Sequence, residues 1–188
     1  YALEQPSFHM YRVLEDGLNA WEQNADGFIG EFWRTKMLAP QFAAVKDVMW
    51  DYAKTEESIE NDIPMDHEKR QQKIDAIYLD WATKEFGPGS AAERIAKDMA
   101  AFEKPDENRF LNVTNFTEGA DDIYSQGYIV GDDWGSDHVW GPWEEEAPNL
   151  NWIDEWEVLR KDIKGAGNRA RFDYWMNTMK AYRLMANI

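Results

Sequence analysis

The chain has 188 residues and a hydrophobic content of 44%, enough for one domain with an ordinary core, with or without an appendage. Its formal net charge of −16 argues against nucleic acid and anionic membranes as partners, because phosphate contacts need a basic face. The absence of cysteine excludes a disulfide framework and thiolate catalysis, and no apolar run approaches the roughly 18 residues of a membrane-spanning helix.

Pro6 and Ser7 open a helical pattern in which Phe8, Tyr11, Leu14, Leu18 and Trp21 make one apolar face. Asn24-Ala-Asp-Gly27 breaks it. The following segment, residues 28–35, is β-prone and short, with Ile29, Glu31, Trp33 and Thr35 on one face and Phe28, Phe32 and Arg34 on the other. Bulky apolar groups on both faces predict a buried strand of the parallel-sheet kind. Pro40 suits the first turn of a second helix, whose stripe is read as Phe42, Val45, Val48 or Met49, and Tyr52. An acidic loop is expected from Thr55 to Pro64. Asp66 can cap a long helix that runs to Phe86, turns Ile74, Ile77, Tyr78 and Trp81 to the core, and ends at Gly87-Pro88. Ser90-Ala-Ala-Glu93 is a capping box, so the next helix starts there and stops before Pro105. Residues 105–122 read as loop.

Between Gly131 and Glu157 the chain carries five tryptophans, nine carboxylates and no lysine or arginine. Gly131, Gly135, Gly141, Pro142 and Pro148 predict irregular structure up to Leu150. A helix is expected from Trp152 to Lys164, with Ile153, Trp156 and Leu159 or Arg160 on one face. Gly165-Ala-Gly167 interrupts, and Asn168 is read as the cap of a last helix bearing Phe172, Trp175, Met176, Met179, Tyr182 and Met185 along one side. The fold class expected is mainly α: about six helices with one buried-type strand. A single strand makes no stable sheet, so the strand either pairs with an unrecognised segment or is the tail of an α/β barrel completed outside this chain. On that reading residues 1–52 end an α/β unit. Residues 53–188 form a helical domain with a Trp-rich acidic loop at 127–151.

Three segments carry a resemblance. Gly27-Phe-Ile-Gly-Glu-Phe-Trp-Arg-Thr35 is similar to the last βα units of polysaccharide-degrading (β/α)8 barrels. Tyr78-Leu-Asp-Trp-Ala-Thr-Lys-Glu-Phe-Gly87, followed by Ala91-Ala-Glu-Arg-Ile95, resembles the helical region after the barrel in α-glucuronidase-like glycoside hydrolases. Gly167-Asn-Arg-Ala-Arg-Phe-Asp-Tyr-Trp175 resembles segments of large bacterial glycosidases of this type. The resemblance implies a C-terminal piece of such an enzyme, since a complete barrel takes about 250 residues. The paired catalytic carboxylates of the family can then lie elsewhere.

Glycoside hydrolysis uses two carboxyl groups, one as acid and the other as base or nucleophile. Glu31 is the best single candidate, because Phe32 and Trp33 beside it would desolvate it and raise its pKa. Arg34 and Thr35, nearer the strand's C-terminal end, could line a barrel mouth and hold a substrate carboxylate or hydroxyl, and Trp33 is a further substrate-binding candidate reaching the same cleft. The alternative is a buried glutamate paired structurally with Arg34 or Arg12. Trp134, Trp140 and Trp143 could stack on sugar rings, or else plug the gap between helices. His138, in the cluster Asp132, Asp133, Asp137 and His138, is a further substrate-binding candidate. That cluster lacks the ligand alternation of a calcium loop and the histidines of a zinc site, so no metal and no cofactor are expected. Asn112-Val-Thr114 and Asn115-Phe-Thr117 are glycosylation triplets that matter only in a eukaryotic secretory host.

The function expected is a part of a glycoside hydrolase acting on a polysaccharide or oligosaccharide, its helical region flanking the substrate cleft. A non-catalytic carbohydrate-binding module and an acidic helical protein-interaction subunit are the alternatives. The expected partners are carbohydrate and another chain or N-terminal segment that completes the sheet, in an extracellular or periplasmic setting. The N-terminus shows no basic and apolar signal-peptide regions, and the opening at Tyr1 is read as a mature, cleaved or truncated product.

Overall fold

The computed structural model describes residues 10, 14, 17, 20, 23, 25–26, 39–51, 67–102 and 143–186, and the regular structure among them is helical. In chain order the elements are α1 (Ala39–Asp51), α2 (His67–Phe86), α3 (Ser90–Phe102) and a single turn α4 (Trp143–Glu146). A 3-10 turn (Ala147–Leu150), α5 (Trp152–Leu159), a second 3-10 turn (Arg160–Asp162) and α6 (Ala166–Ala186) follow. The mainly helical expectation therefore holds. No described residue is in a strand, so the one-strand expectation is not borne out. Its residues, 28–35, lie outside the described ones.

The central element is α2, which packs against α1, α3 and α6. Its stripe is the predicted one: Ile74, Ile77, Tyr78 and Trp81 are buried, and Ala82 and Phe86 extend it. These positions repeat at the helical period, so the described buried residues of α2 share one face. The helix stops where Gly87 takes φ +85° and donates its N–H to the Thr83 carbonyl at 3.0 Å, the left-handed end that glycine alone adopts without strain. Asp66, the expected cap at the other end, lies outside the described residues. The turn Gly87-Pro88-Gly89 sends α3 back along α2, and the Gln71 amide reaches the Ala100 carbonyl. The buried face of α3 includes Ala91, Ala92, Ala96 and Ala100, and these small side chains let the two backbones approach closely.

The N-terminal helix is described at positions 10, 14, 17 and 20, all helical. Met10, Leu14 and Gly17 are buried at i, i+4 and i+7. Leu14 is the one member of the predicted face among them, and Met10 was not assigned to it. The face predicted for α1 is met only in part: Val45 is half-buried and Phe42 is not buried, while Tyr52 and the side chains of Val48 and Met49 lie outside the described set. Phe42 is 47% exposed, whereas Pro40, Gln41 and Ala44 are buried. Apolar residues recur through the whole sequence of this helix, so spacing alone does not select a side, and the helix packs against α2.

Three further readings need correction. Residues 143–150 are not irregular: they make the turn α4 and the 3-10 turn that leads into α5. The helix from Trp152 ends at Leu159, tightens into a 3-10 turn and gives way to an extended Ile163 (φ −78°, ψ 121°), which is itself buried. Asn168 lies inside α6 rather than ahead of it. Its amide donates to the Lys164 carbonyl at 2.9 Å, so it closes the preceding turn instead of opening the next. The predicted core of α6 stands, with Phe172, Trp175, Met176 and Met179 buried; the side chains of Tyr182 and Met185 lie outside the described set.

The helices share one buried cluster. It runs from Met10, Leu14 and Ala44 through α2 and α3 to Trp152, Trp156 and α6. Rings knit it together at two places. Between α2 and α6, Trp81 meets Trp175 edge-on at 4.9 Å and Phe86 meets Phe172 at 5.8 Å. Between α3 and α5, Phe102 lies 5.1 Å from Trp152 and stacks on Trp156 at 6.3 Å. Offset and edge-on aromatic pairs of this kind add about 0.5–1.5 kcal/mol each beyond their buried area.

Candidate functional site

Of the residues singled out from the sequence, Trp143 is the one among the described set. It opens α4, half-buried, and packs against the core cluster. Its neighbour Glu144 is exposed. Glu31, Trp33, Arg34, Trp134, His138 and Trp140 lie outside the described residues. Two other tryptophans of the acidic window, Trp152 and Trp156, are fully inside the core. These two indoles serve packing.

Several carboxylates of the described helices are also committed to partners. Asp98 lies on the apolar face of α3 and is 7% exposed. Its Oδ2 accepts from Arg94 Nε at 2.7 Å and from the buried Trp156 indole N–H at 2.9 Å. Arg94 also donates from its second nitrogen to Glu155 Oε2 at 2.7 Å, so α3 and α5 are tied by a charged chain Asp98–Arg94–Glu155. Hydrogen bonding to Asp98, ahead of the contact with Glu155, raises the Arg94 guanidinium above its already high ordinary pKa. On the other side of the core, Glu85 Oε1 accepts from the Trp175 indole at 3.3 Å, while Arg171 donates to the Glu85 backbone carbonyl at 2.6 Å and to the Asn168 side chain.

The Trp–carboxylate combination thus takes a structural form here: two core indoles, each bound to an acid from another helix. A buried indole N–H needs an acceptor, and an acid edged into the core needs donors. The indole N–H groups of Trp81 and Trp152 are buried without a hydrogen-bond partner among the described residues. The sequence reading missed Asp98. The signal for it was present, since Ile95, Asp98, Met99 and Phe102 share one helical face and an acid on such a stripe calls for a donor from outside.

A second group of charges lines the contact between α5 and α6. Asp154 meets Arg183 at 2.9 Å, Glu157 meets Lys180, and Arg160 grips Asp173 with two nitrogens at 2.6 and 2.8 Å. The order of these pairs shows the two helices running antiparallel. The Arg160 guanidinium holds Asp173 below the usual carboxylate range, and Asp173 raises Arg160. Among the described residues there is no group of three histidines or carboxylates able to hold a metal ion, and no helix is long and apolar enough to cross a membrane. Among the described residues the large apolar side chains left exposed, Phe42, Leu79, Val158 and Leu184, sit on four different helices, an ordinary scatter. Comparison with known protein families, with curated proteins and with solved structures finds no match.

Proposed function

We propose that the chain is the helical region of a glycoside hydrolase and flanks its substrate cleft. The observation that carries this reading is the seat of Trp143. The Gly-, Pro- and acid-rich sequence that holds Trp134, His138 and Trp140 joins the helical core at this residue, which is half-buried on it. A sugar-binding wall needs such a rigid attachment, because loosely held contacts lose affinity to ordering. The described carboxylates that bind Arg94, Arg160, Lys180, Arg183 and two indoles are scaffold groups, so on this reading the catalytic acid comes from outside them, with Glu31 the candidate and Trp33 and Arg34 beside it. The resemblance of residues 27–35, 78–95 and 167–175 to barrel glycosidases supports the same assignment. The carbohydrate would stack on Trp134, Trp140 and Trp143, and the barrel would be completed by another chain or a further N-terminal segment.

The test uses the particle as isolated from its source, titrated with soluble oligosaccharides with and without a uronic acid. Trp140→Ala and Trp143→Ala are each expected to weaken binding by roughly tenfold, the scale of one lost ring contact. Glu31→Gln should abolish turnover while leaving binding in place. Unchanged affinity in both tryptophan variants would defeat the stacking role, and full turnover in Glu31→Gln would remove that residue from catalysis.

A further inference from the structure

We draw no further inference here: the strongest candidate, the buried and unpartnered indole N–H of Trp152 where α5 meets the end of α3, carries nothing because no described residue shows a cavity or a ligand for it to face.

Discussion

At the scale of single residues, the most constrained side chain is Asp98. Its one oxygen serves both a guanidinium and a core indole, so truncation leaves a buried donor without an acceptor and takes from Arg94 one of its two carboxylate partners. Asp98→Ala is therefore expected to cost about 2–4 kcal/mol, more than an ordinary hydrogen bond, because the stranded indole bears its full desolvation penalty. Asp98→Asn keeps an acceptor for one of the two donors and should cost roughly half as much. Urea unfolding of the three proteins checks the order, and equal stability of wild type and Asp98→Ala would show that the contact does not hold α5 in place. Gly87 is constrained differently. Its φ of +85° disfavours any side chain, and a Cβ there would fall on the Asn168 amide, which is tied to Lys164 and Arg171 and has little room to yield. At Gly89 (φ +141°) an added Cβ meets nothing within 4 Å, so backbone strain alone remains. Gly87→Ala should therefore destabilise by about 2–3 kcal/mol and Gly89→Ala by about 1 kcal/mol. Thermal melts that rank them the other way would contradict the close approach of α2 and α6 at this corner.

At the scale of elements, the legibility of each helix followed its pattern. In α2 most of the apolar residues lie on one side and a Gly-Pro pair marks the end, and both its face and its terminus were readable from the sequence. In α1 apolar residues recur through the whole sequence, and contact with α2, which no local spacing encodes, goes with burial of Gln41 and Ala44. Asn168 was misread for a related reason: an asparagine beside glycines fits a helix start and a turn closure equally well, and the Lys164 carbonyl that decides between them is positioned by the tertiary path of the chain. The α5–α6 contact was legible only in its apolar part. Its ion pairs join residues up to 29 positions apart and follow from docking. They also set its response to acid. Because Arg160 lowers the pKa of Asp173 in the folded state, the contribution of this pair is complete above the ordinary carboxylate value and is lost as pH falls through the lowered folded value. Melting temperatures of wild type and Asp173→Asn should therefore differ at neutral pH and converge in strong acid. The gap should be small and should shrink with added salt, since both groups are exposed. A gap that persists unchanged into strong acid would mean that the substitution acts through packing instead of charge.

At the scale of the whole molecule, composition and period were enough for a helical fold because helices record their buried face locally. The candidate site was much less legible. The acidic window looked uniform in sequence, yet Trp152 and Trp156 enter the core while Trp143 stays half-buried, and that division depends on α3 and α6 being present to receive the rings. The acceptor for Trp156 is 58 positions away, on a helix whose apolar stripe shows that Asp98 needs a donor but does not show which residue supplies it. This long-range knitting has a consequence for unfolding. Rings connect α2 to α6 and α3 to α5, while α2 and α3 are joined along their length, and Met10, Leu14 and Ala44 are buried in the same cluster. Loss of one ring contact should loosen all of it together. Trp175→Ala removes the ring that Trp81 meets on α6 and the indole donor to Glu85, and should destabilise by about 3–5 kcal/mol, as large-to-small core changes do. Its unfolding should remain one transition in which tryptophan fluorescence, near-ultraviolet and far-ultraviolet dichroism coincide. Separate transitions for the aromatic signals and the helical signal would mean that the α2–α6 and α3–α5 clusters are independent. A distinct first step confined to the residues before 53 would instead support a division of the chain at that point.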